Sequence, residues 1–318
     1  MANKTANKLN VALSQNNQRI LVTGGTGFIG VALCNMLLSQ GHMVTVLTRD
    51  VNKANALFDG RVILVGDMAR VANDTAFDVI INLAGETVSQ RWSDAAKQRI
   101  ISSRVSVTQA LVDYVARTTH KPRVMISGSA LGYYGVSDSL EFTENTSPTT
   151  DDFSAFPREV CAKWEATAQK VEAYGVRLCI LRTGVVLEKN GGALGQMLLP
   201  FKLGLGGPMG NGQQWFSWIH RDDLIGMIVH LINHDALRGA FNGTAPNPVT
   251  NKEFARALGR ALHRPAIMPL LPFQIRLLFG EMGDVLLLAG QKVLPHNAQQ
   301  SGFVFSYAKV NDALQAIF

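Results

Sequence analysis

Apolar residues recur along this chain in two kinds of segment. Short continuous runs stand at 20–23, 44–47, 62–65, 79–82, 124–127 and 178–182, and longer segments of helical character at 29–39, 95–117 and 157–173. Continuous short runs predict strands buried on both faces, and the longer segments predict helices. Their alternation predicts a parallel, helix-covered sheet. After Gly184 the alternation breaks down. Gly191-Gly192, Gly204, Gly206-Gly207-Pro208 and Gly210-Asn211-Gly212 make a glycine-rich middle. An aromatic strand at 215–219, helices at 222–233 and 251–262, and a Leu-rich helix pair between Pro272 and Gly290 follow. This predicts a smaller, mainly helical C-terminal part over the carboxyl ends of the strands, where open α/β sheets bind ligands. The chain therefore divides into a loose tail at 1–17, a sheet domain at 18–184 to which 214–245 returns, and a cap at 185–318 with a small terminal unit from about 268.

The first run leads straight into Thr23-Gly24-Gly25-Thr26-Gly27-Phe28-Ile29-Gly30. Strand, tight turn and helix in that order make a phosphate site. Glycines let the backbone approach a pyrophosphate, and the N–H groups at the helix start face the anion. A dinucleotide is the expected ligand. An NAD site usually ends its second strand with Asp or Glu, whereas this chain has Thr48-Arg49-Asp50. Arg49 is placed to hold a 2′-phosphate, which favours NADP over NAD; Asp50, one residue further on, is the contrary signal. Gly66-Asp67 follows the third run and Leu83-Ala84-Gly85-Glu86 the fourth. Small residues there suit a ring stacked on the backbone. Asp67 suits an adenine amino group, or else a turn.

Composition narrows the class. With 47% hydrophobic and 17% charged residues the chain reads as soluble and globular, and its net charge of +6 is scattered without a basic block. No nucleic-acid partner is expected, and, since no run is long and apolar enough to predict a membrane span, no membrane partner is expected either. Cys34, Cys161 and Cys179 lie far apart without ligand spacing, which argues against a structural metal and for a reducing, cytoplasmic setting.

The glycine turn, Gly66-Asp67, Asn82-Leu83-Ala84-Gly85, Ser127-Gly128-Ser129 with Tyr134-Gly135, and Ser217-Trp218-Ile219-His220-Arg221-Asp222-Asp223-Leu224 occur in the order seen in a known group. The chain resembles the extended short-chain dehydrogenase/reductase superfamily, and within it the "epimerase family" subgroup of nucleoside-diphosphate-sugar epimerases with a small C-terminal domain of unknown function. Arg91-Trp92, Ser103-Arg104, Trp164-Glu165 and Arg182-Thr183-Gly184 carry the narrower likeness. The resemblance implies an α/β, Rossmann-type doubly wound parallel sheet with a smaller substrate-side region. It also implies that Thr23, Gly24, Gly27, Phe28, Ile29, Gly30, Arg49, Asp67, Leu83, Ala84, Gly85, Arg104, Cys161 and Arg182 hold the cofactor. A homodimer through 95–117 and the helix carrying Cys161 is the expected assembly.

The superfamily's chemistry uses a Tyr activated by a Lys four residues later. Here Tyr114, Tyr133, Tyr134, Tyr174 and Tyr307 are followed at that spacing by Thr118, Ser137, Asp138, Leu178 and Asn311. Pro157 and Cys161 occupy the two expected positions, and neither can do that work. Ser129 keeps the substrate-orienting hydroxyl, with Ser127 as a rival. Tyr133 and Tyr134 are the remaining phenols, and Glu86 is the candidate acid if a crowded cleft raises its pKa; otherwise it accepts backbone hydrogen bonds. Arg91-Trp92 and Arg104 are expected at the cleft, Arg104 as an anion ligand or else as a surface ion pair. Lys163 is expected in solvent and His220 in a structural role, Asp222-Asp223 as caps of the following helix, and Asn242 at the substrate-side edge or in a turn. Two readings follow. One is an NADP-dependent oxidoreductase or epimerase on a small carbonyl or hydroxyl compound, nucleotide sugars included; the other is a non-catalytic NADP-binding sensor or scaffold.

Overall fold

The computed structural model describes residues 12–318. Residues 1–11 of the expected tail lie outside the described residues, while its remainder is held: Leu13 is buried in the core and the Ser14 N–H donates to Asn233 Oδ1 at 2.9 Å. Elements then follow as β1 (Arg19–Thr23), α1 (Phe28–Ser39), β2 (Met43–Leu47), α2 (Val51–Phe58), β3 (Ile63–Val65), β4 (Val79–Asn82), α3 (Asp94–Arg117), β5 (Val124–Ala130), β6 (Glu141–Phe142), α4 (Ala155–Gln169) and β7 (Arg177–Thr183). The second half holds β8 (Val185–Leu187), α5 (Gly192–Lys202), β9 (Trp215–Phe216), β10 (Trp218–His220), α6 (Arg221–Asn233), β11 (Gly239–Gly243), β12 (Val249–Thr250), α7 (Asn251–Ala261), α8 (Pro272–Phe279), α9 (Glu281–Leu286), β13 (Lys292–Val293), α10 (His296–Gln300) and α11 (Val310–Ile317).

Seven strands form one parallel sheet in the order β11-β7-β5-β4-β1-β2-β3. The order reverses between β1 and β4, and a doubly wound sheet opens its ligand crevice at such a switch point. The apolar runs explain why both faces are covered. Ile20 and Val22 pack with Leu33, Leu37, Ile225 and Ile228 on one side, while Leu21, Ile80 and Met125 pack with Leu111 and Tyr114 on the other. Alternate residues of one strand thus serve two cores.

Several elements differ from the sequence expectation. β11 was not among the expected runs, because Gly-Ala-Phe-Asn-Gly reads as a turn until β7 supplies an edge. The segment 215–219 is two strands with different partners: β9 pairs with β12 and β10 with β8. α4 begins earlier than expected and passes at residue 170 into a short 3₁₀ turn. α2 is added after Asp50.

The cap has its own core around Trp218, Phe254, Leu258 and Leu314. It meets the sheet domain through a second apolar cluster in which Met282 and Val285 of α9 pack on Trp92, Ile100, Phe156 and Val160. Lys97 Nζ and Glu281 close that seam at 2.7 Å. Among the described residues no helix is long and apolar enough to cross a membrane.

Candidate active site at the sheet's switch point

At the end of β1 the chain turns through Gly24, whose φ of +68° is in the left-handed region that favours glycine. A Cβ on Gly24 would stand 2.6 Å from the Leu83 carbonyl oxygen, and one on Gly30 would stand 2.2 Å from the Gly24 carbonyl oxygen. The turn, the start of α1 and the strip after β4 are therefore packed backbone against backbone. α1 follows the N-cap residue Gly27, which supplies no side-chain cap, and has no acidic residue in its first turn. Its leading N–H groups are left for an outside anion, and no carboxylate competes for the positive end of the dipole. Phe28 lies under Gly191 and Gly192 of the cap, and Ile29 packs on the core beneath.

The strand ends are tied by a polar row set by register. Thr23, Asn82 and Ser127 lie side by side on β1, β4 and β5. Thr23 Oγ1 donates to Asn82 Oδ1 at 2.7 Å, and Asn82 Nδ2 donates to Thr108 Oγ1 at 2.8 Å and Ser127 Oγ at 3.3 Å. The Ala84 N–H donates to Thr23 Oγ1 at 3.1 Å, fixing Leu83-Ala84-Gly85 beside the glycine turn. Ser127 is thus committed to the scaffold.

Beyond β2, Asp50 Oδ1 accepts from the Lys53 N–H at 2.9 Å and caps α2. Arg49 beside it is exposed and makes no ion pair among the described residues, yet lies near enough for its charge to act on Glu86. Asp67 likewise takes a cap role: its Oδ1 accepts from the Ala69 N–H at 2.9 Å, and its side chain is exposed along a recess of about 790 Å³ beside β3.

After β4 the geometry corrects two expectations. Glu86 accepts from Gln90 Nε2 at 3.0 Å and lies 3.2 Å from Arg99 Nε; these partners hold its carboxyl below the usual range, where an acid catalyst needs it raised. Arg104 is no surface ion pair. Its guanidinium lies against Gly85, 5.2 Å from the centre of the Trp164 ring, and among the described residues makes one hydrogen bond, from Nη1 to the Ile100 carbonyl at 2.9 Å. Burial pulls its pKa down, the response of a cation lacking a close counter-charge.

A second polar row forms further along the sheet, near the carboxyl ends of β5, β7 and β11. Register sets Ser129 of β5, Arg182 of β7 and Asn242 of β11 side by side. Ser129 Oγ donates to Glu165 Oε1 at 2.6 Å; Arg182 Nε and Nη2 donate to the two Glu165 oxygens at 2.9 and 2.8 Å. Arg182 Nη1 donates to the Tyr134 hydroxyl at 3.1 Å, which donates to Asn242 Oδ1 at 2.7 Å. Glu165 and Arg182 are each 6% exposed and Tyr134 is fully buried. Burial lowers an arginine's pKa, but the bidentate carboxylate outweighs it and keeps Arg182 charged. Burial pushes the Tyr134 phenol up to about 12, which Arg182 and Asn242 only partly oppose. Tyr133 differs from its neighbour. It is half-buried, the Arg182 guanidinium lies 3.3 Å from its ring centre, and no hydrogen bond engages its hydroxyl among the described residues.

Residues 20–242 match the NAD dependent epimerase/dehydratase family, and residues 272–317 match a domain of unknown function, DUF1731. The chain belongs to the NAD dependent epimerase/dehydratase family. The Arabidopsis thaliana "Epimerase family protein SDR39U1 homolog, chloroplastic" is 42% identical over 95% of this chain and 87% of its own length. Human epimerase family protein SDR39U1, solved with NADPH, superposes with a TM-score of 0.85 at 36% identity, covering 94% of this chain and 98% of that one. A Corynebacterium glutamicum nucleoside-diphosphate sugar epimerase superposes at 0.74 with 30% identity, over 96% of this chain and 59% of that one.

Where this epimerase-family chain lacks the Tyr–Lys pair, the space is filled. Pro157 packs against Gly132, on which a Cβ would stand 2.8 Å from the proline ring. The Cys161 Sγ lies 3.5 Å from the Ala130 carbonyl, and burial, then the charge of Glu165, pushes its thiol up to about 11. Lys163 pairs with Glu159 in solvent. Trp92 sits in the seam with the cap, and Arg91 lies exposed beside Gly280. α6 is capped by His220 Nδ1, which accepts from the Asp222 N–H at 3.1 Å, in place of the expected Asp222-Asp223 pair. Asp223 instead accepts the N–H groups of Ser306 and Tyr307 and ties down the C-terminal strap. Burial brings His220 down to about 4, so it caps as a neutral acceptor. Glu165 is the residue whose part was missed. Its signal was present, since it falls on the buried stripe Val160, Cys161, Trp164 and Ala168, where a carboxylate requires a partner. Among the described residues no group of three His, Cys, Asp or Glu side chains is placed to hold a metal.

Proposed function

We propose that this protein binds NADP(H) in the crevice between β1 and β4 and acts as an oxidoreductase or epimerase on a small carbonyl or hydroxyl compound. Arg49 carries the cofactor reading: it is an exposed guanidinium at the end of β2 without a carboxylate, beside an Asp50 already spent as a cap. The residues present fit the group, because the backbone cradle excludes side chains at Gly24 and Gly30 and α1 opens uncapped. The NADPH in the human relative's structure supports the same reading.

When bound, NADP supplies a nicotinamide that takes or gives a hydride. The N–H groups at the head of α1 bind pyrophosphate, Arg49 binds the 2′-phosphate, and Arg104 adds a second cation behind Gly85. Leu83, Ala84 and Gly85 offer a flat strip of backbone for a ring. Tyr133 is the proton-transfer group of this reading, because no hydrogen bond engages its hydroxyl among the described residues and the Arg182 guanidinium stacks on its ring. Ser129, Tyr134 and Glu165 hold Arg182 in place. The second reading, an NADP-binding sensor without turnover, draws support from one observation: the buried row from Ser129 to Asn242 is saturated with internal hydrogen bonds.

Fluorescence titration separates the cofactors, with NADPH expected to bind more tightly than NADH. Arg49→Ala is expected to weaken NADPH by about 10- to 100-fold, the loss of a charge-assisted bond of about 1.5–3 kcal/mol, and to leave NADH nearly unchanged. Equal affinities in the wild type would sink the NADP assignment. Turnover on a panel of carbonyl compounds, lost in Tyr133→Phe, supports the enzyme; tight NADPH binding with no turnover supports the sensor.

A further inference from the structure

The cap carries a surface feature that the crevice does not explain. Leu199 and Leu203 at the end of α5, Leu205 in the strap that follows, Ile267, and Phe273 and Leu277 of α8 are 59–76% exposed. They form one region, because the strap and the segment before α8 are laced together: the Met268 N–H donates to the Gly206 carbonyl at 3.1 Å and the Leu270 N–H to the Pro208 carbonyl at 2.9 Å. α8 buries only Ile275. Beside this face Arg256, Arg260, His263 and Arg264 line a recess of about 520 Å³ together with Ile267. Arg264 Nε donates to the Lys202 carbonyl at 3.1 Å and so joins the basic group to α5. Among the described residues neither Lys202 nor any of these arginines makes an ion pair.

Large apolar residues gathered in one exposed region mark a contact surface. Their degree of exposure decides the kind of partner. Side chains more than half exposed stand out from the surface, where a groove for a peptide or helix would shelter them. A second copy of the chain applied across a two-fold axis would bring the same uncompensated arginines to one interface, and interface cores are depleted of charge. Acyl chains accept projecting Leu, Ile and Phe side chains, and anionic headgroups neutralise the adjoining arginines.

We propose that this face docks reversibly on a bilayer carrying anionic phospholipid. The expectation of no membrane partner came from the absence of a spanning segment, and a surface contact needs no span. Co-sedimentation of the full chain with lipid vesicles tests the proposal. Binding is expected to vesicles of phosphatidylcholine with about one third phosphatidylglycerol, to be absent with phosphatidylcholine alone, and to be released as salt rises from about 0.1 M to about 0.5 M. Arg256→Gln with Arg260→Gln is expected to lower partitioning about 25-fold, taking about fivefold for each charge at the surface. Phe273→Ser with Leu277→Ser is expected to abolish binding while the melting temperature holds. Equal binding to neutral vesicles, no vesicle binding by the wild type, or full binding by the serine variant would overturn the proposal. A concentration-dependent dimer that the serine variant breaks would overturn it too, by assigning the face to a second copy.

Discussion

Arg182 has three partners drawn from two separate parts of the chain: Glu165 from a helix, and the hydroxyl of Tyr134 and the ring of Tyr133 from one turn. Such a residue is expected to matter most through what its loss leaves behind. Glu165→Gln removes one charge of a buried, bidentate pair and strands the other, and breaking a buried pair costs about 3–5 kcal/mol. A denaturant melt of Glu165→Gln is expected to show a loss of that size, and a change within experimental error would remove the pair from the list of stabilising contacts. The two candidate tyrosines show how much a sequence conveys at this scale. Their proximity to the end of the fifth run was legible, but their division of labour was not, because one residue of chain turns Tyr134 inward onto Asn242 and leaves Tyr133 half-buried, with Arg182 over its ring. Glu86 carries the same lesson with the opposite sign: its loop position was legible, while the Gln90 and Arg99 that keep it anionic sit four and thirteen residues away on a surface only the fold assembles.

Elements were legible wherever local chemistry alone dictates them. The turn from β1 into α1 needs a residue free of the Cβ at Gly24 and close packing at Gly30, and both glycines stand in the chain for that reason. Gly30→Ala is expected to force α1 away from the Gly24 carbonyl, at about 1–3 kcal/mol for overpacking, and to weaken NADPH binding with it. Calorimetry read beside the fluorescence titration checks both; a variant with wild-type stability and affinity would show that the turn yields without cost. Caps were less legible. Asp50 and Asp67 each suit a nucleotide by position, and each is used by the next local N–H groups. His220 in place of the following aspartates caps α6 because Asp223 is drawn to the 306–307 backbone, more than eighty residues later. β11 shows the same limit for strands, since a glycine-flanked segment becomes extended only when a neighbour offers its edge.

On the scale of the whole molecule, the cap is fastened to the sheet domain by a compact seam in which Trp92 and Phe156 meet edge to face at 4.8 Å between ring centres. Trp92→Ala is expected to cost about 3–5 kcal/mol and to expose 272–290 to protease. Cleavage there at the wild-type rate would show that other contacts suffice to hold the cap. The same assembly fixes what each source of information could decide. Hydrophobic periodicity was enough to predict a parallel, helix-covered sheet, and the glycine spacing a strand, tight turn and helix at its start, because these follow from interactions among residues near one another in the chain; the doubly wound order came with the family resemblance. The saturated row from Ser129 through Glu165, Arg182 and Tyr134 to Asn242, the depth of Arg104 and the free hydroxyl of Tyr133 required the tertiary structure. Hydrogen bonding and burial there depend on strand register and on helices folded over from distant segments, and charge state follows burial.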